Sequence, residues 1–243
     1  MDEFKAYTDS VINALKENPE MKDQIYAEYR VKAMAAQKKS DEISKNFIKD
    51  NPSSLMSVIL ACRLDSLEEN LAMIPEKNLE GILKPVVSSA RKRAESKRLR
   101  EEAKDKIKEG AEAPDFTLPT PDGSTLTLSA LKGKYLLLDF WGSWCHWCIK
   151  GIPTLKEFYE KRGDKIEFLS IACNDTEKKW KEALETYELP WLQVRNDGDL
   201  DVSAAYAVAG YPSFYIIDPE GKIEKIFCGE SDEFKAYMTE LLK

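Results

Sequence analysis

The chain has 243 residues, 43% of them hydrophobic and 33% charged, enough for one large domain or two ordinary ones. No stretch reaches the ~18 consecutive apolar residues that a membrane-spanning helix needs. A formal net charge of -7 argues against a general nucleic-acid binder.

The opening MDEFKAYTDS has neither a basic n-region nor an apolar h-region. Two readings of location follow: a cytoplasmic protein, or a periplasmic or cell-envelope chain whose export signal has been removed. Residues 1 to about 108 have helical texture throughout. Val11 and Leu15, then Ile25 and Tyr29, then Leu55, Ile59 and Cys62 recur at spacings of three and four. Asn51-Pro52-Ser53 punctuates this half, and Ser53 is placed to cap the helix that follows. Pro75 and Pro85 mark further breaks or first turns. This half shows no chemical constellation and reads as a dimerisation, docking or spacer domain.

The run RKRAESKRLR, residues 91–100, holds six basic residues. Acidic residues four positions on (Lys97 to Glu101, Arg98 to Glu102) fit a solvated helix face better than a nucleic-acid patch. Gly110 is expected to end that helix, giving a helical domain over 1–110 and a second domain over 111–243.

From Ala111 the pattern becomes strands alternating with helices. Pro121-Asp122-Gly123 predicts a hairpin turn. Strand-like runs follow at Tyr135 to Phe140, Ile166 to Ala172, Trp191 to Val194, Ser213 to Ile217 and Ile223 to Phe227, the last two joined by an Asp218-Pro219-Glu220-Gly221 turn. Helical patterns (Ile152, Leu155, Phe158; Trp180, Leu184, Tyr187; Phe234, Met238, Leu241) lie among them. The fold class is therefore α/β, with a partly parallel sheet, preceded by an all-α domain. The repeat DEFKAY, at 2–7 and 232–237, reads as two similar helix starts.

The chemistry lies in DFWGSWCHWCIKGIPTL, residues 139–155. Cys145-His146-Trp147-Cys148 follows a buried strand and opens a helix, where unpaired amides and the helix dipole favour a thiolate. Cys148, one turn in, is placed to resolve a mixed disulfide. A zinc site lacks a second close Cys/His pair, and haem attachment lacks histidine after the second cysteine, where Ile149 stands. A structural bridge is the plain alternative. No cofactor and no metal are implied. The cysteine count of five, with Cys62, Cys173 and Cys228 beside the pair, leaves at least one thiol outside any intramolecular bridge.

APDFTL, GKYLLLDFWGSWCHWC, the IP at 152–153, GYPSFYIIDPEGKI and Gly229 together make residues 111–243 resemble the thioredoxin-fold domain of the TlpA/ResA-like thiol–disulfide oxidoreductases. The resemblance implies a bacterial enzyme exchanging electrons with protein disulfides, expected to act as a reductant and fed by an upstream dithiol donor. It implies Cys145 as nucleophile, Cys148 as resolving thiol and Asp139 as the buried acid. Tyr211-Pro212 matches the cis-proline dipeptide, Trp144 the tryptophan beside the site, and Pro153 the helix proline. Many members carry glutamate where this chain has Gly151, and the His-Trp dipeptide between the cysteines is also a departure. These leave the redox potential, and so the direction of exchange, open. His146 either tunes Cys145 or touches partners; Trp147 is either a substrate platform or packed on its own domain. With the family's strand order, two other strands separate those that end at Cys173 and Cys228, so these thiols are expected not to bridge to each other. The rival to an enzyme is a binding module that keeps the fold.

Overall fold

The structure is a computed structural model that describes residues 2–197 and 200–243, with side chains from residue 6 onward. It divides into two compact units, the first ending at Ala94 and the second running Glu95–Lys243.

The first unit is helical: α1 (Asp2–Glu17), α2 (Lys22–Asp50), α3 (Leu55–Ala61), α4 (Leu67–Leu71), α5 (Glu76–Leu79) and the first half of α6 (Lys84–Ala103). Its core gathers Ile48, Val58, Ala61, Leu71 and Val87, with Cys62 at the edge. The cap of α3 is Ser54, not Ser53: the Ser54 hydroxyl accepts from the Met56 amide at 3.2 Å. Ser53 instead offers its carbonyl to the Asn78 side chain at 2.7 Å. Pro85 sits in the first turn of α6, where its missing N–H leaves no bond unmade. Among the described residues no helix is long and apolar enough to cross a membrane.

The charged helix stops at Ala103, seven residues before Gly110. Arg98 pairs with Glu102 and Glu95 on its solvated face. Gly110, at φ 85°, donates its amide to the Ile223 carbonyl at 2.7 Å. Leu99 and Ile107 pack on the core of the second unit. Those contacts explain why that unit begins at Glu95 rather than at Ala111.

The second unit contains β1 (Thr117–Pro119), β2 (Thr125–Thr127), β3 (Tyr135–Trp141), α7 (His146–Lys161), β4 (Ile166–Ala172), α8 (Glu177–Tyr187), β5 (Leu192–Arg195), α9 (Val202–Ala205), β6 (Ser213–Ile217), β7 (Ile223–Cys228) and α10 (Asp232–Leu241). The first two strands form the small hairpin; the rest form one sheet in the order β5-β4-β3-β6-β7. Strands β3, β4 and β5 are parallel, and β6 and β7 run antiparallel to them. β3 is buried on both faces, as its unbroken apolar run requires. The two DEFKAY copies open α1 and α10, the second behind the Ser231 cap.

Side chains alternate across the sheet. One face carries Leu137, Phe168, Phe214 and Phe227 against Leu155 and Phe158 of α7 and Phe234 of α10. The other carries Leu136, Leu138, Phe140, Ile171 and Tyr215. Asp139 falls on the first face, between Leu137 and Trp141.

Candidate active site

The parallel strands end together, and the chain leaving β3 turns at once into α7. Cys145 is the N-cap of that helix, and its sulfur accepts the Cys148 amide at 3.2 Å. The sulfur therefore sits where the helix presents an unpaired donor and the positive end of its dipole, an environment that favours negative charge. Cys145 and Cys148 form a disulfide, with Cα atoms 5.3 Å apart. They are 6% and 5% exposed, so the oxidised pair shows no difference in burial between them. Both pack in a cluster with Trp141, Ala172 and Trp180.

The turn is built for close approach. A Cβ on Gly142 would lie 2.5 Å from the Trp144 indole nitrogen and 3.0 Å from the Cys173 carbonyl. Without it, the Trp144 Nε1 donates to that carbonyl at 3.0 Å. Asp175, in the loop after β4, accepts from the Ser143 amide at 2.7 Å and also from its hydroxyl. The sequence motifs do not bring Asp175 forward: its neighbour Thr176 caps α8, and the bond from Ser143 to Asp175 spans 32 positions. Nothing local signals it.

Trp144 and Trp147 are exposed, at 52% and 65%. Trp144 meets Tyr211 edge to face at 5.4 Å, and Trp147 meets His146 at 5.6 Å. His146 is exposed as well. The Tyr211–Pro212 peptide is cis, with Tyr211 half-buried and Pro212 buried. Trp147, Lys150, Tyr211, Pro212, Cys228 and Glu230 line a groove of about 620 Å³.

Asp139 faces α7 between Leu137, which packs on Leu155 and Phe158, and Trp141, which packs with the two cysteines. Burial pushes its carboxyl up to about 7, against the pull of a hydrogen bond from Ser170. Pro153 lies inside α7, leaving the Ile149 carbonyl without its usual helical donor. Gly151 is filled from elsewhere. Glu230, in the loop after β7, reaches the space a side chain there would take: a Cβ on Gly151 would lie 2.7 Å from its Oε2. Lys235 pairs with the same carboxylate at 2.9 Å. No sequence signal links positions 151 and 230.

Cys62, Cys173 and Cys228 are free, and β3 and β6 separate β4 from β7 as expected. Cys173 is fully buried, and burial pushes its thiol up to about 12. Cys228 is exposed, opposite Ser213.

Comparison with known proteins matches residues 110–226 to the AhpC/TSA family. The thiol-disulfide oxidoreductase ResA of Bacillus cereus is 31% identical over 141 residues, covering 57% of this chain and 81% of that protein. ResA of Bacillus subtilis is 33% identical over 131 residues, covering 54% and 73%. The thioredoxin domain of a thiol-disulfide oxidoreductase from Bacteroides vulgatus superposes with a TM-score of 0.52 at 31% identity, covering 56% of this chain and 99% of that one. These matches, on a sheet that carries a Cys-x-x-Cys disulfide where β3 meets α7, show that the chain belongs to the ResA-like thiol–disulfide oxidoreductases of the thioredoxin fold.

Proposed function

We propose that this oxidoreductase acts as a reductant of protein disulfides, with Cys145 as nucleophile, Cys148 as resolving thiol and Asp139 as proton carrier. The observation that carries this reading is the Cys145 sulfur at the cap of α7, bonded by the Cys148 amide. Stabilisation of a thiolate there makes Cys145 the attacking group.

In the reaction the Cys145 thiolate attacks one sulfur of a substrate disulfide. A mixed disulfide forms and the first substrate thiolate leaves. Asp139 then takes the proton of Cys148, whose sulfur attacks Cys145. The Cys145–Cys148 disulfide forms and the second substrate thiolate departs, so two electrons pass to the substrate. An upstream dithiol donor restores the pair. Trp144, His146, Trp147, Tyr211 and Pro212 flank the pair and would hold an extended substrate segment, the backbone beside Pro212 pairing with it strand to strand. The likeness to ResA supports a site of action in the cell envelope. Val31, Met34 and Ile43 of α2 are exposed apolar residues, which supports docking of a partner or a second copy on the helical unit.

Reduction of insulin by the dithiothreitol-fed protein tests the activity, and equilibration with a glutathione buffer tests its direction. A reductant shows a low potential; one in the oxidant range would overturn that direction.

A further inference from the structure

Across the sheet, Asp139 of β3 stands beside Ser170 of β4. The Ser170 hydroxyl donates to Asp139 Oδ2 at 2.7 Å. The Ser170 Oγ itself accepts from the Trp191 indole Nε1, also at 2.7 Å. Ser170 is 0% exposed and Trp191 6%. A hydroxyl has one proton. With Trp191 donating to its oxygen, Ser170 is set to spend that proton on Asp139.

We propose that Ser170, fixed by Trp191, is a positioning residue that orients the Asp139 carboxyl for proton exchange with Cys148; this rests on the proton-carrying role assigned to Asp139. With Oδ2 committed to Ser170, the proton is taken and returned at Oδ1. The chain Trp191 N–H to Ser170 O–H to Asp139 is polarised in one direction, which strengthens each bond.

The groups around the acid are few. α7 brings Cys145 and Cys148 to this face, β6 brings Phe214, and α10 brings Phe234 against Phe214. Cys173, at the end of β4, is near enough to feel the Asp139 charge. No cation forms an ion pair with Asp139 among the described residues. Among the described residues Ser170 is the one side chain that donates a hydrogen bond to the Asp139 carboxyl and so favours its charged form against burial. Removing it moves the titration upward, because the carboxylate loses its partner while the neutral acid loses less.

The test uses the full chain in its reduced state, with insulin as substrate, and follows both the pH dependence of the rate and the Asp139 carboxyl by 13C NMR. Ser170→Ala is expected to raise the midpoint by about one pH unit, the scale of a hydrogen bond to a charged group. Below that midpoint the rate should fall severalfold. Ser170→Thr, which keeps the hydroxyl, should restore the original midpoint. In an Asp139→Asn background Ser170→Ala should change nothing further. Should Ser170→Ala not fold, Trp191→Phe carries the same test, with a smaller shift of the same sign. A midpoint unmoved in these variants while Asp139→Asn alters the profile overturns the role of Ser170 and leaves that of Asp139 standing. An unaltered profile in Asp139→Asn overturns the acid's role and this proposal with it.

Discussion

Asp139 lies beside Ser170 across the β3–β4 ladder and accepts its hydroxyl proton at 2.7 Å, while both are buried. One neutral donor does not offset the loss of water around a carboxylate, so the acid holds its proton up to about pH 7.

The consequence for stability has a definite sign. The folded pKa is raised above the unfolded one, so between about pH 4 and pH 7 the folded state binds a proton that the unfolded state has lost. Stability from this group is fully present below about pH 4 and is lost as pH rises through about 7. Asp139→Asn removes the dependence. The variant should match the native protein at low pH and exceed it above pH 7, by up to about 4 kcal/mol at the ceiling set by a shift of about three units. Urea unfolding of both proteins across this range checks it; stability curves that run parallel would contradict the buried charge.

The cysteine roles separate by what each variant leaves behind. Cys145→Ser should abolish turnover, because no other thiol sits at the cap of α7. Cys148→Ser should accumulate mixed disulfides with substrate, visible as a mass adduct that dithiothreitol removes. An adduct on Cys145→Ser instead would reverse the assignment.

Gly142 fails as alanine for a geometric reason. A Cβ there meets Trp144 Nε1 at 2.5 Å and the Cys173 carbonyl at 3.0 Å, and the second atom is backbone that cannot swing aside. Gly142→Ala should therefore break the bond between the Trp144 indole and that carbonyl. A stability loss of about 1–3 kcal/mol is expected, the usual cost of overpacking. The Trp144 fluorescence should shift with it, and insulin reduction should slow.

Much of this was legible in the sequence. Ile166–Ala172 and Ser213–Ile217 are strands with the bounds their apolar runs predict. The Asp218–Gly221 turn joins antiparallel neighbours. The disulfide site was readable because its residues are contiguous and its placement, strand then helix, is local. What supports the site was not readable. Ser170 and Asp175 act on Asp139 and Ser143 across 31 and 32 positions of chain, and Glu230 reaches the space at Gly151 from farther still. A serine in the apolar run IEFLSIA carries no mark of the neighbour it will meet. The boundary near Gly110 went the same way: the charge pattern describes a helix face, while Leu99 and Ile107 are assigned to the sheet unit by packing.

The free thiols differ enough to be counted. Cys228 is exposed, whereas Cys173 is fully buried with its thiol pushed up to about 12, and burial raises Cys62 as well. Iodoacetamide on the oxidised native protein should label Cys228 alone, and unfolding without reductant should expose Cys62 and Cys173 too. Native labelling of Cys173 would mean that β4 and its loop open far more readily than their burial implies.

Gly151→Ala sets two effects against each other. Glycine inside a helix costs about 1 kcal/mol relative to alanine, so the substitution should favour α7. The new methyl meets Glu230 Oε2 at 2.7 Å, but that atom is the end of a flexible side chain, held by an ion pair with Lys235 whose partners are 17% and 44% exposed. Partly solvated pairs of this kind contribute at most about 1 kcal/mol. The carboxylate can move at small cost, so Gly151→Ala should be neutral to stabilising by up to about 1 kcal/mol. Glu230→Gln separates the parts, since it keeps the shape and drops the charge. If the Glu230 carboxylate acts on the dithiol from this place, Glu230→Gln and Gly151→Ala should both shift the Cys145–Cys148 reduction potential, while a conservative change at Lys235 shifts it less. A potential unchanged in the first two variants, measured against a glutathione buffer, would leave Glu230 as a packing residue of the groove and nothing more.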